Sequence, residues 1–193
     1  MDLFRYSVAL IFILVLPPLL LFWMVVHPLI HFWRRLGLWL TYGVLIAAMI
    51  AGAWILFAIR KPLLSVDYGS NNPLLIVGSV CLAISVFLKV KVSRRISFAQ
   101  IAGVPEIDPQ AYPGELLMTG VYSRIRHPRY VQVVLGLAGG ALMANYLSSY
   151  VATTLWLPGV WLIVYLEEKE LCQRFGAAYE EYRGKVPAFI PEF

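Results

Sequence analysis

The chain has 193 residues, of which 60% are hydrophobic and 14% charged, with a mean hydropathy of +0.73 and a formal net charge of +5. That balance excludes an ordinary soluble domain and defines a membrane protein. The basic residues flank apolar runs and form no separate basic domain, which excludes nucleic acid as a partner and leaves anionic lipid headgroups as their natural company.

Residues 6–33 carry no Asp, Glu, Lys or Arg and predict a first membrane helix over about 8–26, with Pro17 and Pro18 expected to kink it. Arg5 precedes this stretch, but its uncharged length and the lack of a small-residue cleavage site predict a retained helix and not a signal peptide. His27 and His31 stand one turn apart at the boundary with no Asp, Glu or Cys nearby, so they read as interface anchors and no metal is expected. Residues 36–59 predict a second span over about 37–59, in which Gly43 and Gly52 are expected to allow close helix contact. Residues 68–88 predict a third over about 73–88. Cys81 lies in it and Cys172 near the C-terminus, a separation that predicts two free thiols.

The long polar connection that follows, from Lys89 to Gly120, carries Pro105, Pro109 and Pro113 and cannot be one helix. Residues 130–166 are again free of charge, and as one helix these 37 residues would reach about 55 Å, against a hydrocarbon core of about 30 Å. They must fold back, and the polar turn formers Asn145 to Ser149 predict the reversal, leaving spans over about 130–146 and 149–166. The expectation is a single all-α integral membrane domain, 1–193, with five transmembrane helices and a catalytic and cofactor-binding region over 112–193. Thirteen Lys and Arg then fall on the side of the C-terminus and three on the other, which predicts a cytoplasmic C-terminus and site.

Arg124, Arg126, His127 and Arg129 cluster where the fourth span begins. Pro128 suits the first position of a helix and makes His127 a cap, so that helix should present its positive end together with Arg126 to an anion. Glu167 and Glu168 are expected to end the fifth span, where the dipole disfavours them, whereas Glu170 and Arg174 at i,i+4 read as a solvated surface pair. A hairpin brings the two clusters together, and opposite charges at one membrane boundary suit a zwitterionic or cationic ligand. Beyond the span, Leu171, Phe175, Tyr179 and Tyr182 form an amphipathic stripe that Gly176 is expected to interrupt and Gly184 to end. The prolines of the tail VPAFIP predict extended chain.

The segments LLMTGVYSRIRHPRY and EEKELCQRFGAAYEEYRGKVPAFIP resemble the isoprenylcysteine carboxyl methyltransferases and the related membrane phospholipid methyltransferases. The resemblance implies transfer of a methyl group from S-adenosyl-L-methionine at the cytoplasmic boundary to a lipophilic acceptor entering from the bilayer. Carried over by position, it implies cofactor contacts at Gly114, Glu115, Leu116, Leu117, Tyr122, Arg126, His127, Pro128, Arg129, Tyr130 and Glu167. Arg126, Glu167 and Glu168 are the expected catalytic residues, with Arg126 on the methionine carboxylate, Glu167 on the amino or sulfonium side, and no general base. Two positions depart from the family pattern: Gly114 stands where a histidine is common, and Ile163 where the prenylcysteine enzymes carry an arginine for the substrate carboxylate. The alternatives are an NADPH-dependent relative of the sterol reductases, which share an RHPxY segment but lack the Glu pair, and a non-enzymatic membrane interaction protein on the same scaffold.

Overall fold

A computed structural model describes residues 2–26, 28–94, 104–108 and 115–191, and every element in it is helical. The helices are α1 (Leu3–Val26), α2 (Ile30–Leu36), α3 (Leu38–Ala58), α4 (Arg60–Leu63), α5 (Asn72–Ser93), α6 (Val104–Ile107), α7 (Pro128–Ala144), α8 (Leu147–Phe175) and α9 (Ala177–Lys185), with a 3-10 turn at Gly120–Ser123. Four of them, α1, α3, α5 and α8, are long and apolar enough to cross a membrane. The protein is a multi-pass integral membrane protein. The fourth expected span corresponds to α7, whose 17 residues reach only about 25 Å.

The centre of the bundle is α1 packed against α7 and α8, where Phe12, Leu16, Ala141, Trp156, Val160 and Val164 form one buried cluster. α5 lies against α7 and α3 against α1, and both keep most of their apolar surface outward, as helices facing lipid do. Close packing falls on other glycines than expected. A Cβ on Gly43 would meet nothing within 4 Å, and one on Gly52 only the Pro18 side chain at 3.6 Å. By contrast, a Cβ on Gly139 would stand 2.7 Å from the backbone oxygen of Gly78, and one on Gly78 would stand 2.8 Å from that of Gly139. Backbones touch there because neither helix has a side chain to hold the other away.

The reversal after α7 is tighter than NYLSS. Asn145 alone adopts the left-handed conformation, φ 54°, and α8 begins at Leu147. Asparagine tolerates that region when its side chain is held, and here its Nδ2 donates to Gly69 O at 2.8 Å while its Oδ1 accepts from Tyr150 OH at 2.8 Å. Asp67 and Tyr146 form an antiparallel bridge beside it. The buried Arg5 completes this end, donating from Nε to Ala144 O at 3.0 Å and pairing with Asp67.

At the other end α8 does not stop at Leu166. Nothing in EEKELCQRF disfavours a helix, so it runs on to Phe175 and ends where Gly176 takes φ 53°. Its 29 residues span about 44 Å, more than the hydrocarbon core needs. Glu167 and Glu168 therefore sit two turns inside the helix, and the dipole penalty expected of a terminal pair does not apply. Gly184 likewise lies within α9, which ends at Lys185.

Candidate active site

The chain from the 3-10 turn to α7 crosses over the end of the α7–α8 hairpin. His127 is the N-cap of α7 by position, with Pro128 in the first turn, but its side chain makes no cap bond. It turns instead to α8, where its Nε2 lies 2.9 Å from Oε1 of Glu168. Arg126 donates to the same oxygen from Nε at 3.0 Å and from Nη2 at 2.8 Å, and Arg183 approaches Oε2 at 3.6 Å. Glu168 is thus a saturated anchor. The remaining guanidinium nitrogen of Arg126, Nη1, donates to Val186 O and, at 3.0 Å, to Arg183 O.

The donors of Arg126 are directed at Glu168 and at tail carbonyls, so it clamps hairpin and tail together. The tail completes the clamp, because Arg126 N donates to Pro187 O at 2.9 Å and His127 N to Ala188 O at 3.0 Å. Sequence reasoning gave the tail no contact with RHP. Its extended prolines were visible, but the partner they pair with lies about 60 residues away in the chain.

Glu167 is different. Its Oε2 is buried without a hydrogen-bond partner, and the ring nitrogen Nδ1 of His127 lies 3.8 Å from it. The phenol oxygens of Tyr122 and Tyr179 are also buried and unpartnered. Burial, reinforced by the Glu167 carboxylate, pushes the Tyr122 phenol up. Burial and the Glu168 carboxylate do the same to Tyr179. Tyr182, pushed up to about 12 by burial, donates its proton to Tyr122 O at 2.6 Å and holds the 3-10 turn in place. Burying polar atoms without partners is costly, and a cluster of them beside a carboxylate is a place where a cationic, hydrogen-bonding ligand fits.

The other expected contacts distribute around this cluster. Pro128 is buried, Arg129 places its guanidinium carbon 5.9 Å from the ring centroids of both Trp23 and Tyr130, and the Tyr130 ring lies 5.9 Å from that of His127. Leu116 and Leu117 are half-buried and Glu115 exposed, while Gly114 lies outside the described residues. Glu170 departs from expectation: it is partly buried and faces Arg34 at 3.8 Å, so it is no freely solvated surface charge.

The described residues thus form a multi-pass helical membrane bundle with a polar, partly unsatisfied cluster at one end of the α7–α8 hairpin. The chain belongs to the phospholipid methyltransferase family, which matches residues 74–178, more than half of its length. Over 80 residues it is 35% identical to the protein-S-isoprenylcysteine O-methyltransferase of Schizosaccharomyces pombe, a match covering 39% of this chain and 33% of that protein. Over 98 residues it is 32% identical to methanethiol S-methyltransferase 2 of Bradyrhizobium diazoefficiens, covering 50% of this chain and 35% of that protein. The chain thus spans about a third of the length of these curated relatives. No solved structure matches it significantly.

Proposed function

We propose that the protein is a membrane methyltransferase that uses S-adenosyl-L-methionine and a lipophilic acceptor. The observation that carries this reading is the buried, unpartnered Oε2 of Glu167 together with the buried, unpartnered phenol of Tyr122, whose proton the Glu167 carboxylate helps to hold. S-adenosylmethionine brings an amino group and a sulfonium whose activated methyl is transferred by in-line displacement. Glu167 holds the cationic side of the ligand, Tyr122 donates a hydrogen bond, and the faces of Tyr130 and His127 pack on it. Glu168 and Arg126 position these groups by fixing His127 and the tail, and the apolar surroundings exclude water. Gly114, Glu115, Leu116, Leu117, Pro128 and Arg129 complete the contacts in this proposal.

Five spans, with α7 as the short fourth, belong to the same reading. So do a cytoplasmic C-terminus and site, favoured by the excess of Lys and Arg on that side. Support for the class of acceptor comes from the two relatives, whose names specify an isoprenylcysteine methylated on oxygen and methanethiol methylated on sulfur. Calorimetry on protein in nanodiscs tests the proposal. S-adenosylmethionine and its demethylated product should bind and NADPH should not. NADPH binding with no response to the demethylated product would overturn it in favour of a reductase.

A further inference from the structure

Beneath the RHP segment lies an apolar chamber of about 280 Å³, bounded by Leu16, Arg129, Tyr130, Val133, Trp156 and Ile163. Tyr130 stands at its polar end, and Ile163 is one helical turn before Glu167 on α8, so the chamber adjoins the site just described. A second cavity, about 480 Å³, lies between α1 and α8 against Pro17, Met24, Leu155, Trp156 and Leu162. Its rim faces outward, for Met24 is 43% and Leu155 59% exposed. Trp156 belongs to the lining of both spaces and is itself 6% exposed. Its indole Nε1 donates to Leu16 O at 2.9 Å, which ties α8 to α1 and fixes the ring between the two cavities.

We infer that the chamber beside Tyr130 receives the apolar body of the methyl acceptor and that Trp156 is the wall that limits its length on the side of the second cavity. The inference rests on the methyltransferase reading and specifies its acceptor: a compact lipophile whose reacting heteroatom stays at the polar end, beside Tyr130 and Arg129. At about 280 Å³ the chamber lies at the small end of small-molecule sites, enough for a medium alkyl chain or one substituted ring. Its lining is aliphatic and aromatic apart from Arg129 and Gln132, as a site for an apolar body requires. For a thiol acceptor, sulfur's lone pair forms the new bond to the methyl carbon as the donor's sulfonium–methyl bond breaks. The broken bond's pair remains on the donor sulfur, leaving a neutral thioether, and the thiol proton passes to water.

The test uses the full chain in nanodiscs with two sets of probes. S-adenosylmethionine and n-alkanethiols from butanethiol to hexadecanethiol report turnover by mass spectrometry of the methyl thioether. Bromine-terminated n-alcohols of the same lengths report binding, without any reaction, by contact quenching of tryptophan fluorescence in a background that keeps only Trp23 and Trp156, the tryptophans lining the chamber. Both signals should rise to the octyl probe and fall about tenfold or more at the hexadecyl probe. Trp156→Ala, which joins the two spaces, should recover the hexadecyl probes, and Trp156→Phe should shift the cutoff less. Val133→Phe fills the chamber from another wall and should move the cutoff to shorter chains, a shift that can be read even if the alanine variant fails to fold. A cutoff unmoved by Val133→Phe or by a folded Trp156→Ala variant, a wild-type profile with no cutoff, or no binding of alkyl probes would overturn the inference. Calorimetry separates the levels: wild-type protein that does not bind S-adenosylmethionine removes the methyltransferase reading itself, whereas intact binding with a flat length profile removes only the chamber assignment.

Discussion

Glu167 and Glu168 are neighbours in sequence and opposites in environment. Glu168 accepts from Arg126 and His127 and has Arg183 within reach, so it belongs to the folded state whether or not ligand is present. Glu167 leaves one buried oxygen without a partner, which is the contact the proposed ligand would fill. Charged hydrogen bonds contribute roughly 1.5–3 kcal/mol, so Glu167→Gln should weaken S-adenosylmethionine binding about tenfold or more with a thermal midpoint near that of the wild type. Glu168→Gln should instead lower the midpoint, because it leaves the buried guanidinium of Arg126 without its counter-charge. Calorimetry paired with thermal unfolding distinguishes the two, and equal effects on both measurements at both positions would refute the division. Tyr122→Phe offers a cleaner case. Its hydroxyl has no protein partner to lose, so stability should hold or rise slightly while ligand affinity falls.

Among the elements, the α5–α7 pair depends on the absence of side chains. A Cβ at Gly139 would collide with the backbone oxygen of Gly78, which cannot rotate away as a side-chain tip would. Gly139→Ala should therefore separate the helices at a cost of about 1–3 kcal/mol, the usual range for overpacking. Gly43→Ala, in open space on α3, should be neutral or stabilising by up to about 1 kcal/mol through helix propensity. Thermal unfolding of the two variants in one detergent checks the opposite signs. Since α7 carries His127, Pro128 and Arg129 at its start, displacement of its middle should also reduce ligand affinity.

At the scale of the molecule the two ends of the bundle are closed by different charge clusters. At the end away from the site, burial works to raise the Asp67 carboxyl, but the Gly69 N–H and the Arg5 side chain outweigh it and hold it below the ordinary carboxylate value. A carboxyl lowered in the folded state contributes stability that is complete above its unfolded value and is lost as pH falls through the folded one. Acidification below the ordinary carboxylate range should therefore destabilise the wild type through this pair, and Asp67→Asn should flatten that part of the profile while lowering stability near neutrality. The same arrangement gives a topology test. Single cysteines at the exposed positions Ser70 and Gln173, in a background lacking Cys81 and Cys172, should react with impermeant label from opposite sides of the membrane. Labelling from one side would overturn the span count.

Sequence by itself determined that the chain is helical and membrane-embedded, where α1, α3 and α5 run, and that RHP and the Glu pair are the unusual charges. It could do so because hydrocarbon forces backbone groups to pair within a helix, and because charge is costly enough in lipid to leave uninterrupted apolar runs as a record. The amphipathic stripe and the break at Gly176 were legible for the same local reason. What only the tertiary structure decided was which partner each charge finds. Two adjacent carboxylates have the same local signal, and only the approach of Arg126 and His127 from another helix end makes one an anchor and leaves the other unsatisfied. The tail's pairing with RHP, the Gly78–Gly139 contact and the place of Trp156 between two cavities are likewise distant in sequence. Periodicity reports which face of a helix is apolar, but not which backbone meets it, because that depends on the steric fit of surfaces brought together only when the bundle closes.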